Sequence, residues 1–112
     1  MTSLSKISLS SHVLDTTLGK PAADMVLILT TPDGEQHQGK TDADGRCRDW
    51  GVSGYSAGVY SLRFMCKDYL NSYTQDSLYP FVDIHFEMTE DGGHYHIPLL
   101  ISPFGFSSYR GS

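Results

Sequence analysis

The stretch His94–Ser102, which reads HYHIPLLIS, carries the pattern that decides the fold. Successive side chains of a β-strand point to opposite faces. The odd-numbered residues from Tyr95 to Ile101 therefore share one face, which is wholly apolar and requires a core. The other face begins with the imidazoles of His94 and His96. We expect a strand that packs a core on one side and presents two titratable rings on the other.

The rest of the chain repeats short strand-like segments that are separated by turns rich in Gly, Pro and Asp. Further strands are predicted at Lys6–Asp15, Met25–Thr31, Glu35–Thr41, Arg46–Trp50, Gly58–Cys66, Phe81–Thr89 and Phe106–Tyr109. One short helix is predicted at Lys67–Ser77. Seven or eight short strands with regular turns are typical of an all-β sandwich of two sheets.

The length and charge of the chain limit the class of protein. Its 112 residues predict one domain over residues 1–112. The net charge of −5 disfavours nucleic acid or an anionic membrane as partner. No apolar run reaches membrane-spanning length, and the segment Met1–Lys6 lacks the apolar core of a signal peptide. We therefore expect a cytoplasmic protein in which Cys47 and Cys66 are free thiols.

Two groups of side chains are candidates for chemistry. His12 lies on the polar face of the first predicted strand, and with His94 and His96 it gives three imidazoles. Three such rings could hold a zinc ion with one open position, although their spacing is not specific to zinc. Arg46 and Arg48 share a face of an extended segment, as either a solvated pair or a clamp for a carbonyl or oxyanion.

Four segments in this order resemble one family. These are His12–Asp15 (HVLD), Asp44–Arg46 (DGR), His94–Leu100 (HYHIPLL) and Tyr109–Ser112 (YRGS). Together they are similar to the signature of the 5-hydroxyisourate hydrolases, the transthyretin-related proteins, over nearly the whole chain. Transthyretin itself, the hormone carrier of the same fold, lacks both the terminal tetrapeptide and the paired histidines.

The resemblance implies a transthyretin-like sandwich of two four-stranded sheets with one short helix. It also implies a homotetramer whose central channel holds two active sites at the interface between dimers. The implied reaction opens the six-membered ring of the small-molecule substrate 5-hydroxyisourate, giving 2-oxo-4-hydroxy-4-carboxy-5-ureidoimidazoline in urate catabolism. No cofactor and no metal are expected.

The resemblance also implies a set of site residues. The implied catalytic residues are His12, Arg46, His96 and Ser112, and the implied substrate-binding residues are His12, Arg46, Tyr109, Arg110 and Gly111. Opening of a lactam by water needs a general base, an oxyanion stabiliser and an acid for the leaving nitrogen. Imidazole suits such proton transfers because its ordinary pKa of about 6.5 is close to neutral. We favour His12 as the base.

Two alternatives use the same fold differently. A transthyretin-type protein would only bind a small ligand, and its channel should then be lined by apolar and uncharged groups. A zinc-dependent hydrolase would use the three histidines as ligands. The short tail Tyr109–Ser112 follows a predicted strand closely, so we expect it to lie against the sheet and to form part of the site.

Overall fold

The computed structural model describes residues 7–112. Its nine strands and one helix, in chain order, are β1 Ser8–Asp15, β2 Lys20–Pro21, β3 Val26–Thr30, β4 Gln36–Lys40, β5 Arg46–Cys47, β6 Gly58–Phe64, α1 Cys66–Leu70, β7 Val82–Met88, β8 His94–Ser102 and β9 Gly105–Ser108. The prediction of an all-β chain with one short helix is confirmed.

The strands form two sheets. The first has the order β2-β1-β8-β9, and β5 also pairs with β1. The second has the order β4-β3-β6-β7. The pairing of β1 with β8 is parallel over eight residue pairs, whereas the other strand pairs described are antiparallel. The first sheet therefore brings β1 and β8 side by side, although they are far apart in the chain.

The core lies between the two sheets. The odd-numbered side chains of β8 are buried, as the alternation predicts, with Tyr95 and Ile97 both 5% exposed and Leu99 and Ile101 fully buried. From the second sheet, strands β3 and β6 contribute further fully buried side chains, which include Leu27, Leu29, Leu62 and Phe64. The even-numbered positions of β1 and β8 are left to form the outer face of the first sheet.

The structure departs from the prediction in the first sheet and in the helix, and β5 is shorter than the predicted strand Arg46–Trp50. The first sheet has five strands rather than four, because the short β5 hydrogen-bonds to β1. The segment Lys20–Pro21, which lies between two predicted strands, pairs with the end of β1. The helix ends at Leu70, well before the predicted Ser77, since the next backbone hydrogen bonds form successive turns, as between Ser72 and the carbonyl of Tyr69.

The two cysteines are buried free thiols, as the sequence predicts. Burial raises the pKa of Cys47 to about 11 and also raises the pKa of Cys66. These thiols are therefore poor nucleophiles. Within residues 7–112, no helix is long and apolar enough to cross a membrane.

The Asp15 carboxylate ties the end of β1 to the helical segment. It is 1% exposed. One oxygen accepts hydrogen bonds from the backbone N–H groups of Thr17 and Leu18 at 2.9 and 3.0 Å. The other oxygen accepts from the hydroxyls of Tyr69 and Tyr73, both at 2.9 Å. Because a buried carboxylate is costly without partners, these four donors are what allow it to lie there.

We expect the double variant Tyr69→Phe/Tyr73→Phe to lose about 2–4 kcal/mol of unfolding free energy, because each substitution removes a hydrogen bond to a carboxylate. Urea denaturation followed by circular dichroism measures this loss. Tyr79→Phe is the matched control, since the Tyr79 hydroxyl makes only a long 3.5 Å contact with the Phe104 carbonyl. Equal stability of the double variant and the control would contradict the role assigned to Asp15.

Candidate active site

The parallel register of β1 and β8 places serines beside histidines on the outer face of the first sheet. Ser8 lies opposite His94, and Ser10 lies opposite His96. His12 follows on the same face of β1, and its ring centroid is 6.5 Å from that of His96. The centroids of His94 and His96 are also 6.5 Å apart. Three imidazoles therefore stand in a row, with His96 in the middle.

Serine hydroxyls fill the gaps along this row. The Ser10 Oγ lies 2.8 Å from the Nε2 of His94 and 2.7 Å from the Nδ1 of His96. The Ser8 Oγ lies 2.6 Å from the Nδ1 of His94. The rings of His94 and His96 are thereby each held in one orientation by serines on the adjacent strand.

His12 is oriented by a turn rather than by a serine. Its Nε2 lies 2.8 Å from the carbonyl oxygen of Asp44. A carbonyl can only accept, so Nε2 carries the proton and the Nδ1 of the neutral ring keeps a lone pair. The Asp42 side chain fixes this turn by accepting from the N–H groups of Arg46 and Asp44, which lowers the pKa of its carboxyl. Gly45, at φ +77°, allows the backbone to approach the carbonyl of Val13.

The pairing of β5 with β1 adds guanidinium groups to this face. Arg46 lies opposite His12, and Arg48 follows two residues later. A cavity of about 280 Å³ opens here, which we call the histidine cavity; its lining includes Ser10, Arg46, Arg48, His94, His96 and Ser112. Among the described residues no acidic side chain lines it. The cavity therefore favours anions and electron-rich carbonyl groups, although the whole chain has a net charge of −5.

The surroundings of His96 favour its neutral form. Burial is the main cause that lowers the pKa of this ring, and the nearby His12, His94, Arg46 and Arg48 lower it further. A neutral imidazole near neutral pH can accept or pass on a proton. His96 is thus tuned for proton transfer rather than for a fixed positive charge.

The tail reaches the histidine cavity through Gly111. Its N–H donates to the carbonyl of His96 at 2.7 Å, and the two residues form an isolated β-bridge. A Cβ at Gly111 would lie 2.5 Å from the Cδ2 of His96. Glycine is therefore required here by close contact with the ring, since its backbone is not among those with positive φ. The next residue, Ser112, lines the cavity.

Tyr109 and Arg110 lie elsewhere in the single chain. Both line a second, mainly apolar cavity of about 380 Å³ beside β7 and β9. The Arg110 guanidinium donates to the carbonyls of Gly92 at 2.8 Å and His94 at 3.1 Å, and it stacks 4.1 Å from the centroid of the Tyr95 ring. Arg110 therefore clamps the tail to the start of β8, and a contact of these two side chains with substrate stays a prediction.

The three histidines do not form a metal site. Within residues 7–112, no three His, Cys, Asp or Glu side chains are placed to hold one ion together. Both ring nitrogens of His94 and the Nδ1 of His96 are engaged by serine hydroxyls, and the Nε2 of His12 is engaged by a carbonyl. A zinc ion would need several ring nitrogens that point at one position, each about 2.0–2.1 Å from the metal. The residues present do not fit it.

Four of the residues predicted from the sequence come together: Arg46, His96 and Ser112 line the cavity, and His12 stands beside His96. The set of site residues that the resemblance implies includes neither Ser10 nor Arg48, although the sequence analysis offers Arg48, with Arg46, as a clamp for a carbonyl or oxyanion. The sequence pattern could have pointed to both residues, because Ser10 shares a strand face with His12 and Arg48 shares one with Arg46. What the sequence lacked was the register that joins β1 to β8.

Comparison with known proteins places this geometry in context. The family model described as "HIUase/Transthyretin family" matches residues 9–111. The 5-hydroxyisourate hydrolase of Mesorhizobium japonicum is 43% identical over 114 residues, covering 93% of this chain and 91% of the relative.

Two solved structures share the fold. The 5-hydroxyisourate hydrolase of Klebsiella pneumoniae superposes with a TM-score of 0.84 at 34% identity, covering 94% of this chain and 98% of that one. A transthyretin from Sparus aurata gives a TM-score of 0.83 at 28% identity, covering 93% and 96%. The family model matches nearly the whole chain, and the chain resembles both a hydrolase and a transthyretin of that family. The chain therefore belongs to the HIUase/transthyretin family.

Proposed function

We propose that this protein is a hydrolase that opens the six-membered ring of 5-hydroxyisourate in urate catabolism. The observation that carries the proposal is the meeting of His12, His96 and Arg46 with Ser112 on one sheet face. The relatives from Mesorhizobium japonicum and Klebsiella pneumoniae, both named 5-hydroxyisourate hydrolase, support the same reading. The reaction needs proton transfers and oxyanion stabilisation, which these side chains supply without a cofactor.

The proposed steps follow from the state of each group. The lone pair on the Nδ1 of His12 takes a proton from the attacking water, which adds to the carbonyl carbon of the ring. Arg46 stabilises the resulting oxyanion with its guanidinium donors. His96 then provides a proton to the leaving ring nitrogen as the C–N bond breaks. Ser112 orients the substrate or the water at the open side of the cavity.

A ligand-binding protein of the transthyretin type is the second candidate, since the Sparus aurata transthyretin has the same fold. A carrier channel should be lined by apolar and uncharged groups. The histidine cavity instead contains two guanidinium groups and two imidazoles, with a third imidazole beside it. This lining favours the hydrolase.

We further propose that the active form is a cytoplasmic homotetramer acting on a small molecule. In the single chain Arg46, Arg48, His94 and Ser112 are exposed, so the histidine cavity has no cover on its outer side. Large apolar side chains are exposed as well: Leu18, Val59, Leu78, Phe104, Phe106 and Tyr109. Association of copies through such surfaces would enclose the site and exclude water from it. The two free thiols suit a reducing compartment.

We expect the protein to accelerate the decay of 5-hydroxyisourate, generated from urate with urate oxidase and followed by ultraviolet absorbance. Activity should be unchanged after treatment with a metal chelator. Light scattering on the same sample should give the mass of a tetramer. An unaltered decay at micromolar protein would overturn the hydrolase, and activity lost in chelator but restored by zinc would favour the zinc alternative.

Variants should separate the roles within the site. We expect His12→Ala, Arg46→Ala and His96→Ala each to lower kcat/KM by about a hundredfold or more, as loss of an acid, base or oxyanion donor does. His94→Ala should have a smaller effect. His85→Ala is the control, because His85 is exposed on the other sheet. A loss for His94→Ala as large as that for His96→Ala would contradict the assignment.

An NMR titration of the ring signals should report the state of His96. Because burial and positive neighbours lower its pKa, this ring should become charged only when the pH drops below the ordinary imidazole value of about 6.5. Arg48→Gln removes one positive neighbour, so the pKa of His96 should rise and its titration midpoint should move to higher pH. Lys67→Gln, a charge change on the helix, is the control. Low ionic strength keeps the effect measurable, and identical His96 midpoints for the two variants would contradict it.

A further inference from the structure

One hydroxyl stands between two imidazoles. The Ser10 Oγ is within hydrogen-bond distance of the Nε2 of His94, at 2.8 Å, and of the Nδ1 of His96, at 2.7 Å. A hydroxyl has one proton to donate and lone pairs to accept with. Within residues 7–112 these two nitrogens are the only hydrogen-bond partners of the Ser10 hydroxyl, so its proton goes to one ring and the oxygen accepts from the other.

This single proton couples the two rings. If Ser10 donates to His96, then the Nδ1 of neutral His96 is bare and its proton is on Nε2, while His94 donates from its own Nε2. If Ser10 donates to His94, both rings carry the proton on Nδ1. The Ser8 hydroxyl, 2.6 Å from the Nδ1 of His94, closes the outer end in either case. Neutral His94 and His96 must therefore be the same tautomer.

The coupling meets a specific need of His96. This ring lines the histidine cavity, and its Nε2 has no hydrogen-bond partner within residues 7–112, so that atom is left for the substrate. Its burial and positive neighbours favour the neutral ring. A neutral imidazole that gives up its Nε2 proton becomes an imidazolate unless Nδ1 gains a proton in the same step. Ser10 is the group placed to supply that proton.

We propose that Ser10 is a positioning and proton-relay residue, which holds the Nε2 of His96 toward the substrate and joins His96 to solvent through His94 and Ser8. The proposal rests on the hydrolase function proposed above and assigns a role within it to a serine pair on β1.

The relay step conserves protons and charge. As the leaving ring nitrogen takes the proton from the Nε2 of His96, the Ser10 hydroxyl proton moves to the Nδ1 of His96. The Nε2 proton of His94 moves to the Ser10 Oγ, and the Ser8 hydroxyl proton moves to the Nδ1 of His94. Ser8 regains a proton from water, and the proton that His12 took from the attacking water returns to solvent. The enzyme ends in the other tautomer of both rings, and the reverse shift resets it.

Steady-state kinetics test the relay. Ser10→Ala should lower kcat by about tenfold to a hundredfold with KM little changed, a loss at or below that of a full general acid. Ser10→Thr keeps the hydroxyl on a residue that suits a strand, and it should restore most of the lost turnover. Ser8→Ala should cost less than Ser10→Ala, since water can replace an exposed hydroxyl. Ser61→Ala, a half-buried serine on the outer face of the other sheet, is the control and should match the wild type.

A double-mutant cycle separates a relay from a merely local contact. If Ser10 works through His94, then Ser10→Ala/His94→Ala should be no slower than Ser10→Ala alone, because the chain is already broken. Effects that multiply would overturn the relay. Full turnover in Ser10→Ala would overturn the proposal as a whole.

Imidazole ¹⁵N spectroscopy tests the coupling without any substrate. Near neutral pH the wild type and Ser10→Thr should give His94 and His96 the same tautomer, and Ser10→Ala should let the two populations differ. Different tautomers in the wild type, or His96 shifts unaltered by Ser10→Ala, would overturn the inference. Because this readout does not depend on turnover, an enzyme inactive on 5-hydroxyisourate would defeat the proposed function while the tautomers still decide the role of Ser10.

Discussion

The parallel pairing of β1 with β8 is the constraint on which the site depends. Its register sets Ser8 against His94 and Ser10 against His96, and the members of each pair are 86 positions apart in the chain. A shift of either strand by one residue would turn its outward-facing side chains into the core. The apolar inner faces of both strands forbid that shift, because Leu9 and Val13 on β1 and Leu99 on β8 are buried. The packing of the core thus fixes the geometry of the chemistry on the opposite face.

The histidine cavity gathers positive charge, although the chain as a whole is negatively charged. An acidic protein gathers Arg46 and Arg48 beside three imidazoles, and the same grouping lowers the pKa of His96. This grouping of arginines and histidines therefore has two consequences: it favours an electron-rich substrate, and it keeps the His96 ring neutral for proton transfer. The turn at Asp42 orients both Arg46 and the Asp44 carbonyl that holds His12. For this reason the two-residue strand β5 is long enough to place the arginines beside the histidines.

The likeness to a fish transthyretin and to a bacterial 5-hydroxyisourate hydrolase, at nearly equal TM-scores, illustrates that the sandwich alone does not choose a function. In the function that we propose, the choice rests with the few side chains that point outward from β1, β5 and β8, and with a tail that needs glycine to pass His96. The tail is anchored from the other side of the sheet by Arg110, whose guanidinium is held by backbone carbonyls and the Tyr95 ring.

The sequence by itself determined the strand content, the alternation of β8 and the identity of His12, Arg46, His96 and Ser112 as candidates, because period-2 patterning and short motifs are local properties. It did not determine which strands are neighbours. β2 is too short to produce a pattern, and β5 is shorter than the predicted strand Arg46–Trp50. The predicted helix is longer than the observed one because turns and helices share local preferences. The bridging role of Ser10 and the displacement of Tyr109 and Arg110 from the histidine cavity were decided only by the tertiary structure. Both depend on contacts between residues distant in the chain, which sequence periodicity does not encode.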